Sequence, residues 1–215
     1  MKNLLKVDSI KYLKMCDTDY IYKLEAGNNI HPTAIIYPNV IMGIGNTIGA
    51  YCVIGSNGEI RNVDKFEGVV IIGNNNTISE HVTIQRPSGR GKSTTIGNGN
   101  IIMAHSHVGH DAKIGNNCEL STGVIIGGYA VINDNVMLKL GVTVRNRKKV
   151  AKGAKIGMSA TVVTDILTDG VFIGTPAKPM IKNIVSDEVN DLADEIDEEM
   201  RKRTSIIDVK DFDND

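Results

Sequence analysis

The sequence predicts an all-β solenoid, on the basis of a six-residue periodicity and an unusual composition. Steps of six from Ile30 to Val162 give 23 positions, and all but Phe66 and Arg90 are Ile, Leu, Val or Met. With 41% of the chain hydrophobic, only about nine of these positions would be apolar by chance. Aromatic residues make up 4% of the chain, Trp is absent and Gly reaches 22 residues. A core of small, stacked aliphatic side chains, as in repeat proteins, accounts for both observations.

Each six-residue unit is predicted to be a short strand followed by a tight corner. The position four residues after the aliphatic one is usually small, as at Ala34, Cys52 and Cys118, and Gly or Asn often follows the aliphatic residue. Gly and Asn accept turn conformations that β-branched residues avoid. Three units would close a triangular coil of about 18 residues, and coils would stack about 4.8 Å apart. Both cysteines fall at inward positions, so we expect them to belong to the core.

Outside residues 30–179 the six-residue phase is lost, which predicts three segments. Residues 1–29 are expected to cap the first coil, residues 30–179 to form the β-helix, and residues 180–215 to form a short C-terminal α-helix and an acidic tail. The helix is predicted over about 186–203, because an apolar stripe of helical period follows Ser186, a favourable N-cap residue.

Two stretches interrupt the repeat, at residues 61–70 and 86–94. Solenoid proteins accept such insertions at their corners, often on the functional face. The second stretch is basic and rich in Gly, so it could bind phosphate, arch over a neighbouring subunit or be a plain surface loop. It lacks the spacing and the strand–helix context of a nucleotide-hydrolysing phosphate loop.

The net charge indicates which partners the protein does not require, and the cysteines indicate the redox state of its compartment. The net charge of −1 does not call for nucleic acid or an anionic membrane. Charged residues interrupt the N-terminus, and no apolar run approaches the ~20 residues of a membrane span. Three cysteines without metal-like spacing fit a reducing compartment. We therefore expect a cytoplasmic protein.

A histidine cluster is the strongest indication of chemistry. His105, His107 and His110 lie within six residues, and Asp111 follows directly. Val108 is an inward position, so His107 and His110 should lie outside the core. A histidine oriented by a carboxylate is a common general-base arrangement. Gly128 lies eighteen residues after His110, one predicted coil away, and its backbone N–H would be open to an oxyanion.

These motifs resemble the hexapeptide-repeat acyltransferases, in particular the acyl-carrier-protein-dependent UDP-N-acetylglucosamine O-acyltransferases. The family pattern Ala-His-x-x-His-Asp is matched by the segment from Ser106 to Asp111. The resemblance implies a left-handed parallel β-helix, a homotrimer, His110 with Asp111 as general base, and Gly128 as the oxyanion donor. This chain has Gln85 and Tyr129 where the family has His. The candidate substrate-binding residues are His105, His107, Gln85, Arg86 and Tyr129.

Near the end of the solenoid, the segment Gly174-Thr175-Pro176-Ala177-Lys178 resembles the turn that lies near coenzyme A in hexapeptide acetyltransferases. The resemblance implies acetyl-CoA as acyl donor, with these five residues and Arg147 as candidate cofactor-binding residues. The basic run over 145–149 could meet the phosphates of CoA or an acidic carrier protein, or be a solvated coil edge.

Several functions remain compatible with the sequence. The favoured one is acetyl transfer from acetyl-CoA to a nucleotide-linked amino sugar, without a metal. A carrier-protein-dependent UDP-N-acetylglucosamine O-acyltransferase is the first alternative. A zinc enzyme of the γ-carbonic-anhydrase type would use His105 and His110, but Gln85 occupies the position of its third ligand. A scaffold without catalysis is the last alternative. The identity of the acceptor sugar and the choice between N- and O-transfer stay open.

Overall fold

The computed structural model describes residues 27–61, 67–180 and 198. Within these residues, short strands form three sheets of nine, seven and six strands. All strand pairs are parallel except the last, which confirms the predicted all-β solenoid. The left hand of the coil stays a prediction of the resemblance. The expected N-terminal cap and C-terminal helix lie outside the described residues, apart from Glu198, which is helical.

The strands follow the three sheets in rotation along the chain. The nine-stranded sheet contains β1 (Asn29–Ile30), β4 (Thr47–Ile48), β7 (Thr77–Ile78), β10 (Ile101–Ile102), β13 (Glu119–Leu120), β16 (Met137–Leu138), β19 (Lys155–Ile156), β21 (Val171–Ile173) and β22 (Lys178–Pro179). The seven-stranded sheet contains β2 (Ile35–Ile36), β5 (Val53–Ser56), β8 (Thr83–Gln85), β11 (His107–Val108), β14 (Ile125–Ile126), β17 (Thr143–Val144) and β20 (Thr161–Val162). The six-stranded sheet contains β3 (Val40–Met42), β6 (Val69–Ile72), β9 (Ser93–Ile96), β12 (Lys113–Ile114), β15 (Val131–Ile132) and β18 (Lys149–Val150).

Register within each sheet repeats every eighteen residues over most of the solenoid. Ile102 pairs with Leu120, Leu120 with Leu138, and Leu138 with Ile156. Each of these side chains is fully buried, while the preceding residue of each strand faces outward. Cys52 and Cys118 are buried in the same core, as expected, and burial raises the pKa of each thiol.

The two insertions lie at one edge of the prism, where the chain passes from the seven-stranded to the six-stranded sheet. We call this the loop edge; among the described residues it comprises 57–61, 67–68, 86–92, 109–112, 127–130 and 145–148. Both insertions end two residues earlier than predicted, because β6 begins at Val69 and β9 at Ser93.

The insertions lengthen two coils without changing the phase of the repeat. Thr47 pairs with Thr77, thirty residues later, and Thr77 pairs with Ile101, twenty-four residues later. These coils exceed the normal eighteen residues by twelve and by six. Because both lengths are multiples of six, the inward aliphatic phase continues across them. Arg90 breaks the phase only because it lies exposed in the second insertion.

The edge between the six-stranded and nine-stranded sheets carries buried asparagines. The Asn46 Oδ1 accepts hydrogen bonds from the backbone N–H and the side-chain Nδ2 of Asn76, at 2.9 Å each. The Asn76 Oδ1 accepts the same two bonds from Asn100, at 2.8 and 3.0 Å. Stacked coils thereby satisfy buried amides that would otherwise cost about 1–3 kcal/mol each. This ladder explains the frequency of Asn in the repeat.

Among the described residues, no helix is both long and apolar enough to span a membrane.

Burial predicts opposite stability effects for two neighbouring isoleucines of β10. Ile102 is 0% exposed and Ile101 is 45% exposed. We expect Ile102→Ala to lower the free energy of unfolding by about 2–5 kcal/mol, because it leaves a cavity in the stacked core. Ile101→Ala, the matched control, should cost less than about 1 kcal/mol. Chemical denaturation of both variants measures the difference, and equal losses would contradict the assignment of inward and outward positions.

Candidate active site

The stacking of coils brings His110 and Gly128 together at the loop edge. β11 pairs with β14 in a register that places His107 beside Ile125 and Val108 beside Ile126. The corners that follow these strands therefore also stack, and the Tyr129 N–H donates a 2.9 Å hydrogen bond to the His110 carbonyl oxygen. The position of Gly128 next to His110, predicted from the eighteen-residue spacing, is found in the structure.

His110 and Asp111 form a buried pair. The His110 Nδ1 lies 2.9 Å from the Asp111 Oδ2, and the two residues are 9% and 7% exposed. A carboxylate can only accept a hydrogen bond, so Nδ1 carries the imidazole proton. The Nε2 of neutral His110 is then left with a free lone pair. This is the protonation pattern that a general base requires.

Two further contacts hold the aspartate in place. The Asp111 N–H donates to the Thr94 Oγ1 at 2.8 Å, and the Asp111 Oδ2 also accepts a hydrogen bond from the Ser88 N–H at 2.9 Å. Asp111 has a φ of 60°, in the left-handed region that Asp tolerates better than most residues. Sequence reasoning missed Ser88 and Thr94, since neither belongs to a motif; the only signal was that both lie in the predicted interruption at residues 86–94.

Gly128 leaves no room for a side chain beside the histidine. A Cβ at this position would lie 2.4 Å from both the Nε2 and the Cε1 of His110. Gly128 therefore packs closely against the part of the His110 ring that contains Nε2 and Cε1. No hydrogen bond from the Gly128 N–H is found within the described part of the chain. A base and an available backbone donor are thus next to each other.

Tyr129 and Arg147 continue the same edge, one and two coils beyond Asp111. Both have left-handed φ, of 60° and 64°. The Tyr129 ring meets the His110 ring edge to face, with centroids 5.1 Å apart. The Arg147 guanidinium lies 4.3 Å from the centre of the Tyr129 ring. The structure therefore places Arg147, a candidate cofactor-binding residue, near the histidine.

His107 lies on the outer face of the seven-stranded sheet, half-buried. Its Nδ1 lies 2.7 Å from the Thr83 Oγ1 of the preceding coil. Burial lowers the pKa of His107 from its ordinary value of 6.5; His110 lowers it further and Glu59 opposes the shift. His107 is therefore suited to be a neutral hydrogen-bonding group beside His110 rather than a cation.

Gln85 and Arg86 lie at the start of the second insertion. Gln85 ends β8 and is buried, at the position where β5 and β8 shift register. The Arg86 N–H donates to the Ser56 carbonyl oxygen at 2.8 Å, and its guanidinium contacts the Asn57 side chain. These residues join the two insertions at the loop edge, one coil before His110.

His105 lies at a different edge, between the nine-stranded and seven-stranded sheets. Its ring stacks on that of His81 at 4.8 Å, and His81 stacks on Tyr51 at 5.2 Å. All three residues have left-handed φ and are exposed. The expectation that His105 joins His107 and His110 is therefore not met within one chain, because the corner between β10 and β11 separates them.

The segment Gly174–Lys178 forms the turn between the antiparallel strands β21 and β22 at the end of the solenoid. The Ala177 N–H donates to the Thr161 carbonyl oxygen at 2.8 Å. In the seven-stranded sheet His107 pairs with Ile125, Ile125 with Thr143, and Thr143 with Thr161. Thr161 therefore lies three coils beyond His107. At about 4.8 Å per coil, the turn is roughly 14 Å along the axis from the histidine pair.

Within the described residues, no three His, Cys, Asp or Glu side chains lie close enough to hold one metal ion. In the γ-carbonic-anhydrase alternative the third zinc ligand would be a histidine at position 85. This chain has Gln85 there, whose side chain is an amide and not an imidazole. The structure gives that hypothesis no support.

The lowered pKa of His107 predicts a stability change with pH. Between the lowered folded value and 6.5, the unfolded chain binds a proton that the folded chain does not, so stability falls as pH falls. We expect the free energy of unfolding of the wild type to drop more steeply than that of His107→Gln between about pH 7.5 and about pH 5. Denaturant titrations at several pH values measure this; parallel curves would contradict it. His81→Gln, at an exposed position, is the matched control.

Comparison with known proteins agrees with this architecture. A family model described as the bacterial transferase hexapeptide (six repeats) matches residues 93–128, a range that includes both His110 and Gly128. A sequence search of curated proteins finds no match.

Three similar solved structures are UDP-N-acetylglucosamine acyltransferases. The one from Bacteroides fragilis is 31% identical with a TM-score of 0.67, over 74% of this chain and 62% of that chain. The one from Francisella novicida is 28% identical with a TM-score of 0.57, over 73% and 69%. The one from Campylobacter jejuni is 25% identical with a TM-score of 0.56, over 76% and 81%. The matched region thus spans less than two thirds of the Bacteroides fragilis protein. The chain carries a six-residue repeat, and its parallel β-solenoid is similar to those of the UDP-N-acetylglucosamine acyltransferases from these three species.

Proposed function

We propose that this protein transfers an acyl group from a thioester to a hydroxyl or amine of a nucleotide-linked amino sugar, with His110 as general base. The observation that carries the proposal is the His110–Asp111 pair, in which the His110 Nε2 lies next to Gly128 of the following coil. The similarity to three UDP-N-acetylglucosamine acyltransferases supports the same class of reaction.

The site accounts for each proton in the reaction. The His110 Nε2 accepts the proton of the acceptor hydroxyl or amine as the oxygen or nitrogen attacks the thioester carbonyl carbon. The Gly128 N–H donates to the carbonyl oxygen as it becomes an oxyanion. The C–S bond then breaks, and the protonated His110 returns its proton to the leaving thiolate. The Asp111 carboxylate, hydrogen-bonded to Nδ1, stabilises the transient imidazolium.

The acceptor is assigned to the outer face of the seven-stranded sheet beside the loop edge. His107 offers a neutral ring next to His110, and Gln85 and Arg86 follow from the preceding coil. Neutral donors and acceptors suit sugar hydroxyls and amides, while the Arg86 guanidinium suits a phosphate. The proposed complex is a homotrimer, as the resemblance implies.

The donor is assigned to the part of the solenoid beyond Gly128. The corner containing Arg145, Arg147 and Lys148 lines a surface depression, and its charge suits phosphate. A donor that also meets the turn Gly174–Lys178 must reach His110 through a long arm, which the pantetheine of CoA provides. Acetyl-CoA is therefore the first donor to test. An acyl carrier protein, whose acidic surface would suit the same corner, is the second.

Removal of the proposed base predicts a loss of catalysis without a loss of fold. We expect His110→Ala to lower kcat by at least about 100-fold, because general-base catalysis contributes about 10²–10⁴-fold. The measurement is acyl transfer to UDP-N-acetylglucosamine from acetyl-CoA and from acyl carrier protein. His81→Ala, at a different edge, is the matched control and should retain full activity. Equal rates for wild type and His110→Ala would overturn the assignment of the base.

A further inference from the structure

The second insertion makes a direct connection to the histidine pair. Ser88 lies in residues 86–92, and its N–H donates to the Asp111 Oδ2, the oxygen that faces the His110 Nδ1. The Asp111 Oδ2 is therefore the hydrogen-bond partner of both the second insertion and the His110 imidazole. Displacement of Ser88 would change the position of Asp111 and, through it, that of His110.

Ser88 is also bound from the opposite side of the site. Its Oγ lies 2.7 Å from the Tyr129 hydroxyl oxygen. Tyr129 in turn meets the His110 ring edge to face, at an interplanar angle of 86°. Asp111 and Tyr129 lie on successive coils, so this hydrogen bond closes a ring of contacts through Ser88, Asp111, His110 and Tyr129. We call this hydrogen bond the Ser88–Tyr129 bridge.

Two cations surround the tyrosine. The Arg147 guanidinium lies 4.3 Å from the ring centre and the Lys92 Nζ lies 5.7 Å from it. The Lys92 Nζ also donates to the Ser88 Oγ at 3.3 Å. The hydroxyl, a ring face and a ring edge of Tyr129 are thus all engaged by this chain's own groups, in a side chain that is only half-exposed.

The insertion that carries Ser88 is itself packed against the first insertion. Pro87 is buried, and a Cβ on Gly68 would lie 2.6 Å from the Pro87 Cγ and 2.8 Å from the Gly89 carbonyl oxygen. Gly68 has a φ of 138°, which disfavours any other residue. The residues on either side of Ser88 therefore pack against the first insertion, and the Ser88 Oγ is hydrogen-bonded to Tyr129.

We propose that Ser88 and Tyr129 are positioning residues that fix the orientation of His110 through the Ser88–Tyr129 bridge. Asp111 alone gives the imidazole one hydrogen bond, about whose axis the ring can still turn. The perpendicular contact with the Tyr129 ring restrains this rotation, and Ser88 fixes Tyr129 and Asp111 relative to each other. The proposal rests on the proposed function of His110, and it assigns Tyr129 to the support of the base instead of to contact with substrate.

Two conservative variants remove the bridge from opposite ends. Ser88→Ala deletes the Oγ but keeps the N–H that binds Asp111, and Tyr129→Phe deletes the hydroxyl but keeps the ring. We expect each variant to lower kcat about fivefold, the equivalent of one hydrogen bond, with KM for acceptor and donor changed less than about twofold. The double variant should lose no more than either single variant, because both changes delete the same bond.

Tyr51→Phe is the matched control, since Tyr51 has the same left-handed backbone at a different edge; it should leave kcat unchanged. A rise in KM at constant kcat would instead make Tyr129 a substrate contact and overturn the proposal. The proposal would also be overturned if the loss of kcat in the double variant equalled the product of the two single losses. Unchanged kcat in both single variants would overturn it as well.

A second measurement does not depend on activity. The ¹⁵N chemical shifts of the His110 ring nitrogens in the ligand-free protein report which nitrogen carries the proton. We expect all four proteins to keep the Nδ1-protonated form that Asp111 selects. The His110 signals should be unchanged in Tyr51→Phe, and shifted or broadened in Ser88→Ala and Tyr129→Phe, where the ring can turn. Identical His110 signals in all four proteins would overturn the proposal. If the wild type shows the expected signals but transfers no acyl group, the proposed function fails while the positioning role stands.

Discussion

One constraint shapes the whole solenoid: every sixth residue must place an aliphatic side chain inside a narrow triangular prism. The inward residues of successive coils stack directly, and each coil is bonded to the next through parallel backbone ladders. A single coil buries little apolar surface, so stability comes from the stack. Residues eighteen positions apart therefore become neighbours wherever the coil has its normal length, and this relation generates the candidate site.

The same constraint leaves the outward positions and the corners free to differ. One edge carries the buried Asn46, Asn76 and Asn100, whose amides satisfy each other from coil to coil. A second edge carries the stacked rings around His81. The loop edge carries both insertions and the His110–Asp111 pair. Since insertions of six and twelve residues preserve the inward phase, the solenoid accepts functional loops there without disturbing the core.

Much of this could be predicted from the sequence, because the core has a strict period. The inward positions, the burial of Cys52 and Cys118, and the contact of His110 with Gly128 all follow from counting in sixes and eighteens. The adjacency of Asp111 to His110 predicted their hydrogen bond. Closeness in sequence did not predict the location of His105, because the corner before β11 places this residue at a different edge from His110. Contacts that depend on an irregular loop had no periodic signal. The bond from Ser88 to Asp111, twenty-three residues away, is of this kind.

We propose that acyl transfer takes place where coil stacking brings the His110 Nε2 against Gly128. A crystal structure of the protein with UDP-N-acetylglucosamine and a non-hydrolysable acetyl-CoA analogue tests it most directly. We expect an acceptor hydroxyl or amine within hydrogen-bonding distance of Nε2, and the donor's carbonyl-equivalent oxygen within about 3 Å of the Gly128 N–H. Both ligands bound with their reacting atoms away from the loop edge would contradict it.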